Sequence, residues 1–177
     1  MSVAPKPRST SRRGALPLVI RPFDQAYAGA VAAWVRTEEE LRSLAPSTTA
    51  PLTAEKVAAW QRATTRAFLM FLNDDRTPAG YAELNRMGND PHHWWLGHIV
   101  LDPVIRGRGI GGRFVSRLAS LATDGFGARR LSLIVCPDNA QAMRCYERVG
   151  FHLISDEYHR FGTPPRRQRM LRYELRI

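Results

Sequence analysis

The apolar residues of this chain fall into two rhythms. Short unbroken runs of Val, Ile, Leu and Phe read as buried strands, and apolar positions recurring every three to four residues read as helices with one buried face. Leu18-Val19-Ile20-Arg21, closed by Pro22, predicts a first strand, after which Asp24 is placed to cap a helix running to Trp34. A second helical stretch covers about Thr37 to Leu44. Thr53 with Lys56 three places on gives a partial capping signal, continued by Val57, Ala58, Trp60 and Gln61 as a short helix.

The run Ala67 to Leu72 predicts a buried strand, Asn73-Asp74-Asp75 a turn, and Ala79 to Leu84 the returning arm of a hairpin. Trp94 to Leu101 is a further strand, stopped by Asp102-Pro103. A glycine-rich loop follows at once, and from Ile110 the residues Phe114, Val115, Leu118 and Leu121 recur at helical spacing. Leu131 to Val135 reads as a strand, Asn139 to Val149 as a helix ended by Gly150, and Phe151 to Ile154 and Arg169 to Leu175 as the closing strands. The order is one strand, two or three helices, three strands, then helix, strand, helix and two strands, which predicts a mixed α/β sheet.

Composition narrows the class. Apolar residues make up 44% and charged residues 24% of the 177 positions, the balance of a chain that folds by itself. Residues 1–15 are rich in Pro, Ser, Thr and basic residues without apolar periodicity, which predicts a flexible basic tail. Residues 16–177 are expected to form a single domain. No apolar run reaches the length of a membrane span or follows the basic start as a signal peptide would, so a cytoplasmic protein is expected. Cys136 and Cys145 are too few for a disulfide framework and have no neighbours at zinc-site spacing, so reduced thiols and no metal are expected. The net charge of +10 lies mainly at the two ends, in Lys6, Arg8, Arg12 and Arg13 and in Arg160, Arg166, Arg167, Arg169, Arg172 and Arg176. We read this excess as solvated surface rather than as a nucleic-acid site.

The candidate chemistry sits in Arg106-Gly107-Arg108-Gly109-Ile110-Gly111-Gly112. Where a glycine-rich turn leads into a helix, unpaired backbone N–H groups and the helix dipole converge, and an anion binds well. The glycines let a ligand approach the backbone, and Arg106 and Arg108 add charge, so a diphosphate fits. No Gly-Lys-Ser/Thr follows as in a P-loop. Nor do the glycines combine a Gly-x-Gly-x-x-Gly spacing with an acidic residue at the distance a dinucleotide fold requires.

Arg106, Gly109 and Gly111, preceded by Ile99-Val100-Leu101-Asp102-Pro103, match the Arg/Gln-x-x-Gly-x-Gly/Ala signature of the GNAT superfamily of acetyl-CoA-dependent N-acetyltransferases, which this chain resembles. A second block agrees: Asn139-Ala140-Gln141-Ala142, then Tyr146-Glu147-Arg148-Val149-Gly150-Phe151, is similar to the family's Asn-x-x-Ala and Tyr-x-x-x-Gly-Phe pattern. The resemblance runs from about Leu18 to Leu175 and is diagnostic from Trp95 to Phe151.

The resemblance implies a GNAT-like fold, a mostly antiparallel sheet of about six or seven strands with helices on both faces, splayed at the cofactor strand. It implies acetyl-CoA as acyl donor and a primary amine, of a small molecule or a protein, as acceptor. Ile99, Val100 and Leu101 then line the acyl arm, the backbone from Arg106 through Gly107, Arg108, Gly109 and Ile110 to Gly111 and Gly112 holds the pyrophosphate, and Asn139 bonds the arm. Tyr146 is the expected general acid. Glu83 is the first candidate base, with His98 and Glu157 behind it, and His98 takes an unsettled face if a β-bulge interrupts its strand. Trp94 and Trp95, beside His92 and His93, are candidates for a wall of the acceptor site. The Glu38-Glu39-Glu40 run reads as an exposed helix face. The resemblance also implies a homodimer through the late strands. The alternative function is a non-catalytic module that holds an acyl-CoA or a partner.

Overall fold

The computed structural model describes residues 17–73 and 76–177. The expected basic tail and the turn residues Asp74 and Asp75 lie outside the described residues. In chain order the elements are β1 (Leu18–Pro22), α1 (Ala28–Ala33), α2 (Glu38–Leu44), α3 (Ala54–Ala59), β2 (Thr65–Leu72), β3 (Pro78–Arg86), β4 (His93–Leu101), α4 (Ile110–Phe126), β5 (Arg130–Val135), α5 (Ala140–Val149), β6 (His152–Phe161) and β7 (Arg166–Arg176).

The early helices begin where side chains replace missing backbone partners. Asp24 accepts from the Ala26 N–H at 2.9 Å to start the turn that leads into α1, and Thr37 and Thr53 cap α2 and α3 through the Glu40 and Lys56 N–H groups. The helix α4 buries Ile110, Phe114, Val115, Leu118, Ala119 and Ala122, one face at helical spacing. Gly127 closes it in a left-handed conformation.

The seven strands form one sheet in the order β1-β2-β3-β4-β5-β7-β6. Neighbours are antiparallel except β4 and β5, which run parallel and are connected through α4. Alternation along β2 divides the core: Ala67, Leu69 and Phe71 pack with Tyr81, Val31 and Val57 on the α1 and α3 side, while Phe68 and Met70 pack with Leu84, Phe114 and Leu118 on the α4 side. Helices therefore cover both faces, as expected.

Two departures from regular pairing shape the site. The strands β4 and β5 are in register only at His93↔Arg130, Trp94↔Leu131 and Trp95↔Ser132, and separate beyond Trp95. On its other side β4 slips against β3: Tyr81 pairs with Val100 but Glu83 with Gly97, so β4 carries an extra residue and bulges, with His98 at φ +45°.

The closing hairpin is longer than the apolar pattern predicts, reaching Phe161 and starting again at Arg166. Its outer part is tied by polar pairs that carry no apolar rhythm. Arg169 meets Asp156 at 2.6 Å, Arg172 meets Glu157 at 2.5 Å, and the Arg167 guanidinium lies 3.9 Å from the Tyr158 ring centre. No helix among the described residues is long and apolar enough to cross a membrane.

Phe114 is fully buried between α4 and the sheet. Phe114→Ala is expected to lower unfolding stability by about 3–5 kcal/mol in urea denaturation. A loss under about 1 kcal/mol would show that this face is not the principal core.

Candidate active site

Where β4 and β5 diverge, a groove of about 2060 Å³ opens through the sheet. Its chemistry follows from which backbone and side-chain groups face it. The stretch Leu96–Leu101 of β4 is paired with β3 on one side and, among the described residues, has no partner strand on the other. Val100 sends its side chain into the α1 and α3 core, Ile99 and Leu101 pack on the α4 core, and all three line the groove. An extended ligand can therefore lie along β4 as an added strand would.

At one end of the groove α4 begins without a side-chain cap, its N-cap being Gly109 at φ +75°. Its first N–H groups have no carbonyl one turn back to bond. At Gly107 and Gly109 an added Cβ would meet nothing within 4 Å, so the approach to this backbone is open, whereas at Gly111 it would lie 3.4 Å from Leu101 and 3.6 Å from Cys145. Ile110 is buried in the core and anchors the first turn, and Gly112 lines the groove beside it. Arg113, Arg117, Arg144 and Arg148 line the same end and supply positive charge, while Arg108 is exposed nearby in the loop.

Arg106 differs from its loop neighbours. Its backbone N–H bonds the Pro103 carbonyl at 3.3 Å, and its side chain donates to Leu101, Glu40 and Trp34. Its guanidinium is thus engaged inside the protein, and the added charge at the loop falls to the other arginines.

Asn139 caps α5, its Oδ1 accepting from the Ala142 N–H at 3.1 Å, and no described bond uses its amide nitrogen. Asn139 also lines the groove. About two turns on, Tyr146 lines the groove with its ring 6.0 Å from that of Phe151. Burial pushes its phenol well above the ordinary range, with Cys145 adding to the rise, so Tyr146 keeps its proton at neutral pH.

Glu83 sits toward the far end, in β3, and is only 3% exposed. Tyr81 donates to its Oε1 at 2.6 Å, Gln61 donates to the Tyr81 oxygen at 2.7 Å, and Asn85 reaches Oε2 at 3.4 Å. The bulge turns His98 toward it: Nδ1 lies 2.9 Å from Glu83 Oε1 but out of line for a hydrogen bond, and that nitrogen is buried without another partner. Trp60 stacks on the His98 ring at 4.3 Å. Burial, reinforced by the Glu83 charge, holds the Tyr81 phenol far above its ordinary value.

The sequence model of the acetyltransferase (GNAT) family matches residues 24–151. The chain belongs to that family. Over 79 residues it is 38% identical to an uncharacterized protein of Mycobacterium leprae, covering 44% of this chain and 21% of that one. Over 79 residues it is 35% identical to the N-alpha-acetyltransferase RimI of Mycobacterium tuberculosis, covering 44% and 48%. The match thus spans about a fifth and about half of these relatives' lengths. The fold is similar to that of spermidine N-acetyltransferase from Vibrio cholerae in complex with CoA and spermine, with a TM-score of 0.73 at 16% identity over 90% of this chain and 95% of that one.

Other expected groups of this GNAT chain lie elsewhere. Strand alternation sends Trp94 and Trp95 to opposite faces: Trp94 is 9% exposed and stacks on Phe126 in the α4 core, and only Trp95 reaches the groove. His92 bonds the Gly127 carbonyl and His93 bonds Ser132, both at 2.7 Å, and neither lines the groove. Glu157 is held by Arg172, Ser155 and His159, which bring its carboxyl down to about 2 and remove it as a base near neutrality. Trp60 and the β6 residues His159 and Phe161 line the groove, and Tyr81 and Gln61 form a hydrogen-bonded chain to Glu83 beside it; of these, Tyr81, Gln61, His159 and Phe161 were not expected at the site. Trp60 and Gln61 fall in a helical rhythm that looks like ordinary packing.

The Glu157 carboxyl is lowered from 4.5 to about 2. Its contribution to folding is therefore present in full above 4.5 and lost as pH falls toward 2. Glu157→Gln is expected to be less stable than the parent in thermal unfolding at pH 6, with the difference shrinking from pH 4.5 downward. A difference independent of pH would contradict the ion pair.

Proposed function

We propose that this chain transfers an acetyl group from acetyl-CoA to a primary amine by direct attack within a ternary complex. The observation that carries this reading is the groove itself. It connects an uncapped, arginine-rimmed helix N-terminus to a buried carboxylate along a strand paired on one side only. The two ends suit an anionic diphosphate and a cationic amine, and the strand between them suits an amide-bearing arm. The N-alpha-acetyltransferase named among the relatives supports an amine as acceptor.

When bound, acetyl-CoA supplies the activated acyl carbon. Backbone N–H groups from Gly107 to Gly112 hold the diphosphate, Ile99 to Leu101 present backbone to the arm, and the Asn139 amide donates to it. Transfer forms the N–C bond and breaks the C–S bond, so the nitrogen must lose a proton and the sulfur must gain one. Tyr146, still protonated at neutral pH, gives its proton to the sulfur. The amine proton passes to the Glu83–His98 pair. Glu83 has only 4% of its side chain exposed against 28% for His98, so the proton reaches Glu83 through His98 or a water. While the proton rests on His98, the imidazolium and the Glu83 carboxylate 2.9 Å away stabilise one another.

Calorimetric titration with acetyl-CoA is expected to show binding by the parent and a loss of at least about tenfold in Gly109→Ala, whose φ of +75° an alanine adopts only with strain. No binding by the parent would sink the reading.

Tyr146→Phe is expected to lower kcat by about 10²-fold or more in a thiol-release assay over a panel of amines, with the dissociation constant of CoA unchanged. An unchanged kcat would remove Tyr146 from the mechanism.

A further inference from the structure

The acidic run at the start of α2 has a use beyond solvation. Arg106, the first residue of the glycine loop, donates from Nε to the Leu101 carbonyl at 3.0 Å, from Nη1 to Glu40 Oε1 at 2.6 Å and from Nη2 to the Trp34 carbonyl at 2.7 Å. The other Glu40 oxygen accepts the Arg36 backbone N–H at 2.7 Å. One guanidinium thus gathers the end of β4, the C-terminus of α1, the first turn of α2 and the start of the loop. A planar, always charged fork suits such a junction better than a flexible ammonium.

Its position gives the junction a consequence. Thr37, Glu39, Glu40, Ser43 and Leu44 line the groove, making α2 and its flanks one of the groove's walls. The helix has seven residues, and Leu41 is its one buried side chain. A helix this short does not hold its place through its own hydrogen bonds, so its anchors decide where the wall stands. The charged anchor is Glu40, and its partner belongs to the loop that would receive the diphosphate.

We infer that Arg106 and Glu40 are positioning residues that couple the glycine loop to α2, so that filling the loop orders the acceptor-side wall. This rests on the cofactor reading above. A ligand that engages the backbone from Gly107 to Gly112 restrains the loop, and that restraint passes through the guanidinium to Glu40 and the Trp34 carbonyl. The wall is then set most firmly when the donor is already in place, and an acceptor meets a formed site. Three of the five guanidinium N–H donors of Arg106 are spent within the protein, which ties the side chain to the junction.

Hydrogen exchange of the amides in residues 36–46 and 104–113, with and without CoA, tests this in the parent, in Glu40→Gln and in Glu38→Gln as a control on the same helix, at an exposed residue that does not line the groove. In the parent, CoA is expected to slow exchange in both segments. In Glu40→Gln the 36–46 amides are expected to exchange about tenfold faster or more and to gain no protection from CoA. The 104–113 segment should still be protected, with the calorimetric Kd for CoA unchanged to within about twofold. Glu38→Gln should behave as the parent.

Protection of 36–46 by CoA that survives in Glu40→Gln would overturn the coupling, as would protection confined to 104–113 in the parent. A tenfold weaker CoA affinity in Glu40→Gln would assign the ion pair to shaping the phosphate loop instead. Absence of protection at 104–113 in the parent would sink the cofactor reading, an outcome distinct from failure of the coupling alone.

Discussion

The structure turns on the parting of β4 from β5 after three residue pairs. Backbone N–H and C=O groups in a buried sheet need partners, and a strand that loses its neighbour leaves a row of them open. Here the divergence leaves Leu96 to Leu101 paired on one side only, in the middle of a seven-stranded sheet rather than at its edge. That row is sheltered by α2 and α5 and continuous with the uncapped start of α4. An opening of this kind is sustained only because the two cores, one on each face, hold the strands apart independently of it.

The remaining features of the site follow from the same divergence. A strand that leaves its parallel neighbour must twist away, and the extra residue at His98 supplies the local twist. The strain of a non-glycine residue at φ +45° is thereby coupled to a particular side-chain direction, which brings an imidazole to a buried carboxylate. At the end of β4, Arg106 takes up the Leu101 carbonyl and fixes the chain where it turns into the loop.

The sequence made much of this legible, for definite reasons. Elements with strong apolar rhythm, such as α4 with Phe114 and Leu118 or β2 with its unbroken run, emerge close to where they were expected, because burial alone specifies them. The caps at Asp24, Thr53 and Gly150 were legible because each solves a local backbone problem. The outer half of β6 and β7 was not, since pairs such as Asp156 with Arg169 are formed between residues distant along the chain and leave no period behind. The role of Glu40 was hidden likewise: its partner Arg106 is 66 residues away. Trp94 and Trp95 look alike in the sequence, and only the phase of the strand separates a core residue from a groove residue.

The proposed acid and base stand on elements that meet only through the groove. Glu83 belongs to β3 and His98 to β4, joined by an antiparallel ladder, whereas Tyr146 belongs to α5, which packs on α4 and on the far side of the opening. Two groups that exchange protons with opposite ends of one reacting centre must be kept from meeting each other. Here the divergence of β4 and β5 enforces that separation, and burial acts on Tyr146 so that it keeps its proton until the sulfur needs it. The same gap that admits an extended arm therefore also sets the spacing between the two ends of the proposed proton transfer. A mutation that lets β5 close onto β4 would remove both at once.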